Sequence, residues 1–342
     1  MANERHPITV AGAGITGLWQ ALTLARRGHR VRLMEASAAP FAAAASRYAG
    51  AMLGPYCETE MYAPVVTELG LQALDLWRAI YPSTVMNGTL VVAPSRDIHE
   101  IEHFARLTAG HQRVDSAVIA KLEPDLAGRF SSGLFYRQEG HLEPQPAMQF
   151  LLENAREAGV EAAFGIAWLP NQGGRDDGGI VIDCRGLDAC AQLPGLRGIR
   201  GERIVVRTHE IALSRPVRLL HPRHPLYVVP WSDGRFMIGA TVIESDDAGP
   251  VTVRSALELL GAAYALHPAF GEAEIIDAGA GVRPAFADHV PRVVVRGRTL
   301  HVNGLYRHGF LLAPALAVQV ANYLDGTSTD TRVVSDPPGL AP

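Results

Sequence analysis

Residues 8–35 constrain the fold of this chain more than any other stretch. A short apolar run, Ile8-Thr9-Val10, leads into Gly12-Ala13-Gly14-Ile15-Thr16-Gly17. An apolar periodic stretch follows over 19–25, and a second apolar run over 31–34 ends on Glu35. Strand, glycine turn, helix, strand and acid in that order predict a βαβ unit built around an adenine dinucleotide. Gly12 permits the tight turn out of the strand. Gly14 has no Cβ, so backbone can approach a pyrophosphate. Gly17 lets the helix pack closely on the sheet. Ile15 and Thr16 begin that helix, whose unpaired N–H groups and positive dipole end attract phosphate. Glu35, followed by Ala36, is expected to accept hydrogen bonds from ribose hydroxyls and would repel a 2′-phosphate. The motif by itself leaves NAD and FAD both open.

At 342 residues the chain can bury a large core in one or two domains. A formal net charge of -4 gives no broad cationic field and argues against nucleic acid as a partner. Lys121 is the single lysine, so an anion site here is expected to use arginine, whose planar fork suits carboxylates. No stretch reaches transmembrane length without charge or glycine, and residues 1–6 carry no apolar signal region. Cys57, Cys184 and Cys190 form neither a disulfide framework nor a metal pattern, and the histidines have no metal spacing. These features predict a cytoplasmic protein without metal.

After Glu35 an alanine run leads into Ser46-Arg47-Tyr48-Ala49-Gly50-Ala51-Met52-Leu53-Gly54-Pro55, which reads as a loop lying against something flat or bulky. Helices are expected over 64–80, 98–108, 146–158, 253–267 and 314–324. Strands are expected over 88–93, 133–136, 203–207 and 217–220, with a buried-type strand over 180–186 that ends in a turn and a hairpin formed by 226–230 and 235–241. Residues 171–179 form a Gly/Asp-rich loop tolerant of insertion. The fold class expected is α/β: a discontinuous Rossmann-like nucleotide domain over 1–83, 142–204 and 276–330. A mixed or antiparallel sheet domain would occupy 84–141 and 205–275, followed by a loose tail over 331–342.

Two stretches of the last third hold an arginine among small and apolar residues. They are Gly279-Ala280-Gly281-Val282-Arg283-Pro284 and Asn303-Gly304-Leu305-Tyr306-Arg307-His308-Gly309-Phe310-Leu311-Leu312-Ala313-Pro314. A buried guanidinium needs an anion or carbonyls. Both a ligand anion and a distant structural acid satisfy that need.

Together these segments resemble the FAD-dependent D-amino-acid oxidase superfamily, in particular its glycine oxidase branch, which serves thiamine thiazole synthesis. The resemblance rests on the glycine turn, the Ser46 loop, Leu226-Tyr227-Val228-Val229-Pro230, the Gly-Val-Arg-Pro at Gly281 and the Tyr-Arg-His-Gly-Phe-Leu-Leu-Ala-Pro at Tyr306. It implies a non-covalent FAD, since no cysteine lies near the last motif. Gly12, Gly14, Gly17 and Glu35 would hold its ADP half. Ser46, Arg47, Gly50, Met52 and Leu53 would lie along the ribityl chain and ring, Gly186 would close a nucleotide-domain turn, and His308, Gly309, Phe310 and Leu311 would meet the pyrimidine end. Arg283 would grip a substrate carboxylate, Tyr227 would donate to it, and Arg307 would line the pocket. The activity implied is oxidation of glycine, sarcosine or a small D-amino acid by hydride transfer from Cα to flavin N5. Molecular oxygen would be the acceptor, and the products would be an oxo acid, ammonia and peroxide.

The chain departs from that pattern at Leu305, at His308, at Glu143-Pro144-Gln145 and in a short stretch between Val160 and Ile180. Such changes also suit two other readings: a flavoprotein acting on a peptide, partner protein or tethered amine, and a non-catalytic flavin-binding subunit of a hetero-oligomer. A homo-oligomer is compatible with the sequence.

Overall fold

The computed structural model describes residues 7–58, 63–170, 179–221 and 225–335. Most of the loop expected to tolerate insertion (171–178) and the end of the tail (336–342) lie outside them. The short apolar runs pair into a seven-stranded sheet. Its order is Val334–Ser335, Arg292–Arg296, Thr299–Asn303, Ile180–Asp183, Ile8–Ala11, Val31–Glu35 and Glu161–Phe164. Ile8–Ala11 lies parallel to both Val31–Glu35 and Ile180–Asp183. Ile8–Ala11 and Ile180–Asp183 lie inside the sheet and read as near-continuous apolar runs, whereas Val31–Glu35 leaves Arg32 exposed. The helices Ile15–Arg26, Pro64–Ile80, Pro144–Glu157 and Gly309–Leu324 supply Leu18, Leu69, Leu151 and Leu316 to one core with Val10 and Leu33 of the sheet.

The last helix begins at Gly309, five residues before the proline expected to open it. Pro314 lies inside the helix and has no N–H to give the carbonyl of Phe310 four residues earlier. The indole N–H of Trp77 donates to that carbonyl instead, at 2.7 Å. A long-range partner thus satisfies the group that proline leaves unpaired.

The second sheet has eight strands in the order Glu274–Ala285, Arg197–Arg207, Arg235–Gly239, Leu226–Pro230, Val217–Leu219, Thr89–Val92, Ser132–Tyr136 and Gln112–Asp115. One face carries Ile204, Val206, Val228, Phe236 and Ile238, packed with Leu259, Ala263 and Leu266 of the helix Val253–Leu266. The other face carries a row of directly opposed residues, Arg203, Gly239, Tyr227 and Arg218. Opposed residues of a ladder share a face, so these side chains and their i±2 neighbours look the same way. Gly201, Gly281 and Arg283 belong to that face as well.

Sheet membership differs from the expected division of the chain. The boundaries at 204/205 and 275/276 fall inside two strands of the second sheet that pair along their whole length. Glycines at 279 and 281 made the second of these strands unreadable, because glycine weakens strand propensity. The absent side chains are structural. A Cβ at Gly279 would overlap the Tyr48 ring, and one at Gly281 would lie 3.2 Å from the Ala45 carbonyl oxygen. Residues 331–335, the described part of the tail, are less loose than expected. Arg332 pairs with Glu68 at 2.6 Å, Val333 is buried, and Val334 pairs with Val293.

Candidate active site

Between the two sheets lies a cavity of about 520 Å³, within the range of clefts that take cofactor-sized ligands. The glycine turn forms one end. Gly12 has φ +97°, and a Cβ on it would lie 2.7 Å from the Cys184 carbonyl oxygen. Gly17 packs against the Gly12 carbonyl, off the cavity lining. Gly14 caps the start of the helix and lines the cavity, and a Cβ on it would stand 3.6 Å from Ser46 Oγ, an ordinary contact. Glu35 lines the cavity while its two oxygens accept from the N–H groups of Ala13 (2.7 Å) and Ser37 (2.9 Å). The Ile15 N–H donates to Ser46 Oγ at 3.2 Å.

Three lining residues at this end, Trp168, Arg185 and Asp188, were not foreseen. Arg185 lies over the Trp168 ring at 4.8 Å and donates to Asp183 through Nε and Nη2, both at 2.9 Å. Asp183 is fully buried and also meets His301 Nδ1 at 2.9 Å. Burial alone would raise its pKa, but His301 and Arg185 outweigh burial and hold it at about 2. Gly186 follows with φ +61° and lines the cavity.

Along the middle, Ala36, Ser46, Tyr48, Gly50 and Met52 line the cavity. The Ser46 segment is a short 3-10 turn, Ala45–Tyr48, followed by a two-residue strand, Met52–Leu53, that pairs with Gly140–His141. Arg47 sits beside the Tyr48 ring and Leu53 is buried in the first core, so neither reaches the lining. A Cβ at Gly50 would overlap Met237 and come 3.0 Å from the Tyr227 ring, so only glycine lets the loop approach the second sheet this closely.

At the far end Tyr227, Arg283, Arg307, His308, Gly309, Phe310 and Leu311 all line the cavity. Arg283 Nη1 donates to the Thr241 carbonyl at 3.1 Å, and its guanidinium lies where Gly201 has no side chain. Asp288, its nearest acid in sequence, pairs with Arg292 at 2.7 Å instead. The first N–H groups of the helix Gly309–Leu324 point to this end. A helix N-terminus leaves its first N–H groups without intrahelical partners. His308 is buried, which lowers its pKa to about 4 and keeps the imidazole neutral at pH 7. Of the departures noted in the sequence, Leu305 is a core residue. Glu143 pairs with Arg235 at 2.6 and 3.0 Å.

Sequence reasoning missed Glu58, which lines the same end. Its Oε1 is 3.4 Å from Arg218 Nη1 and its Oε2 is 3.7 Å from His308 Nδ1. Burial would raise its pKa, yet Arg307, Arg218, His308 and Arg283 hold it below the usual carboxylate range. Glu139 stands behind it. Fully buried, it accepts from the N–H groups of Tyr56 (2.9 Å) and Cys57 (2.7 Å), and desolvation raises it to about 7.

A family profile described as "DAO: FAD dependent oxidoreductase" matches residues 7–323. The chain belongs to this family of FAD-dependent oxidoreductases. It is 54% identical over 318 residues to the "Putative thiamine biosynthesis oxidoreductase ThiO" of Rhizobium etli, covering 93% of this chain and 96% of that protein. It is 26% identical over 360 residues to a glycine oxidase of Geobacillus kaustophilus, covering 95% and 94% of the two chains. The crystal structure of glycine oxidase from Geobacillus kaustophilus superposes with a TM-score of 0.81 at 24% identity, covering 95% of this chain and 97% of that one. The cofactor named by the family fits the cavity. An open glycine turn, an acid at one end and a helix N-terminus at the other are the donors and acceptors a dinucleotide needs.

Proposed function

We propose that the protein oxidatively deaminates a small amino acid, with glycine, sarcosine and small D-amino acids as the substrate class and molecular oxygen as the acceptor. The observation that carries this reading is the sharing of one cavity by the glycine turn and by Arg283 with Tyr227. Gly12, Gly14 and Glu35 would bind the ADP portion of FAD, with Arg185 and Trp168 beside it. Gly50, Met52 and the start of the helix Gly309–Leu324 would hold the rest. FAD supplies a two-electron acceptor for the hydride that leaves the substrate Cα.

The work of this chain is then orientation and electrostatics. Arg283 and Tyr227 fix the carboxylate, so that Cα is presented to the centre of the cavity. The amine must be neutral when the hydride leaves, and no protein acid or base is needed in that step. The imine released hydrolyses to an oxo acid and an amine, which is ammonia from glycine or a D-amino acid and methylamine from sarcosine. The ThiO and glycine oxidase relatives support this substrate class. FAD would be dissociable, because the last motif, residues 303–314, contains no cysteine.

The test is anaerobic mixing of the yellow holoenzyme with glycine, sarcosine and D-alanine. At least one bleaches the flavin, and peroxide follows on adding oxygen. A flavin that stays oxidised with all three overturns the substrate class. Bleaching without peroxide on reoxidation overturns oxygen as the acceptor.

A further inference from the structure

Resting on that reading, we propose that Glu58 binds the amino group of the substrate in its protonated form and makes the pocket selective for ammonium carboxylates over plain carboxylates. Three acids among the described residues line the cavity, Glu35, Asp188 and Glu58. Glu35 accepts from the glycine turn and Asp188 follows Gly186, so both belong to the dinucleotide end. Glu58 is the acid that shares the other end with Arg283 and Tyr227, and it lies within the electrostatic reach of Arg283 and Arg307. An amino acid carries opposite charges one carbon apart. A cavity end with guanidinium groups and one carboxylate is complementary to that dipole.

Among the described residues, the contacts of Glu58 leave it acceptor capacity to spare. An ionised carboxylate offers about four lone-pair sites, and charge-assisted contacts are normally about 2.7–2.9 Å long. Its contacts with Arg218 and His308, at 3.4 and 3.7 Å, are longer than that, and His308 is neutral at pH 7. The side chain is also held in place. Glu139 accepts from the N–H groups of the two preceding residues, and Arg218 donates to the Cys57 carbonyl at 3.1 Å. Arg218 in turn stands directly opposite Tyr227 on the sheet face that looks into the cavity. Tyr227 therefore stands beside the arginine that positions Glu58. Glu58 touches substrate in this account, while Glu139 and Arg218 are positioning residues.

The proposal predicts a selective loss. Glycine and acetate differ by one ammonium group, so their binding to the FAD-loaded protein isolates its contribution. Acetate affinity is read from perturbation of the flavin absorption band, and glycine affinity from saturation of anaerobic bleaching. In Glu58→Gln the glycine Kd rises about tenfold or more, as expected for loss of a hydrogen bond to a charged group, while the acetate Kd stays within about twofold. Because Glu58 favours the ammonium, its loss also moves the rising limb of bleaching rate against pH to lower pH by about one unit. Should Glu58→Gln fail to load FAD, Glu58→Asp carries the same comparison, with a smaller glycine defect and the same indifference to acetate. Equal weakening of glycine and acetate, or an unchanged glycine Kd, overturns the proposal and leaves the oxidase reading standing. A wild-type flavin untouched by glycine, sarcosine, D-alanine and acetate overturns both.

Discussion

The two ends of the cavity are built by different means. At the dinucleotide end the chain uses backbone: a glycine turn, a helix N-terminus, and an acid bonded to two N–H groups. These parts lie within twenty-eight consecutive residues, 8 to 35. At the amino-acid end it uses side chains from five separate segments, carrying Glu58, Arg218, Tyr227, Arg283 and Arg307. A backbone site tolerates variation in side chains but not in Cβ atoms. A side-chain site depends on long-range pairing and on charges kept away from water.

That contrast can be broken at several points. The largest effect is expected from Arg283→Ala. Leaving a substrate carboxylate unpaired in a dry pocket raises KM for glycine roughly 100-fold or more, while the FAD Kd, measured by flavin fluorescence, changes little. A parallel loss of FAD would show that the two ends are not separable.

The ends also differ in the sign of their pH dependence. Glu139 is raised to about 7, above its unfolded value, so it binds more protons folded than unfolded between those values. Its burial therefore costs stability as pH rises from about 4.5 to about 7, by about 3 kcal/mol in all. Glu139→Gln should match wild type at pH 5, exceed it at pH 8 and flatten the curve between, as read from urea unfolding. Equal destabilisation at both pH values would refute this account. Asp183 behaves in the opposite way. Its folded value of about 2 gives stability that is complete above its unfolded pKa and is lost as pH falls through about 2, about 2 kcal/mol. Asp183→Asn should remove that acid limb.

A smaller effect is expected from Gly12→Ala. Its positive φ and the nearby Cys184 carbonyl cost about 1–3 kcal/mol of stability, and FAD affinity falls while acetate still perturbs whatever flavin is bound. The smallest is Trp77→Phe, which leaves the Phe310 carbonyl without its donor. It should lower the unfolding midpoint by an amount equivalent to about 1–2 kcal/mol without changing KM. A changed KM would mean that the helix start moves with that bond.

The same contrast explains what could be read in advance. The helix Pro64–Ile80 has the expected limits and the strand Ile180–Asp183 lies within the expected run 180–186, because their apolar period and flanking prolines and glycines are local signals. The glycine turn was legible for the same reason. Arg283 and Arg307 stood out by their small and apolar sequence neighbours, while Tyr227 and the roles of all three came through family resemblance. Glu58, Trp168 and Arg185 were not singled out, because nothing adjacent in sequence marks them. Glu58 is placed by Glu139 through bonds spanning 82 and 83 residues, and by Arg218 some 160 residues away. The early start of the last helix was hidden likewise, since its donor Trp77 lies 233 residues from Phe310.

The first sheet draws strands from Ile8 through Ser335, and Ile180–Asp183 sits between Ile8–Ala11 and Thr299–Asn303. A ribosome making about 5–20 residues per second needs roughly twenty seconds to a minute to deliver all of those strands. Until then Ile180–Asp183, the strand beside the opening glycine turn, lacks its other neighbour Thr299–Asn303, and the nascent chain exposes sticky strand edges. Flavin capture is therefore a late event in the life of the molecule, and the growing polypeptide is a natural client for chaperones.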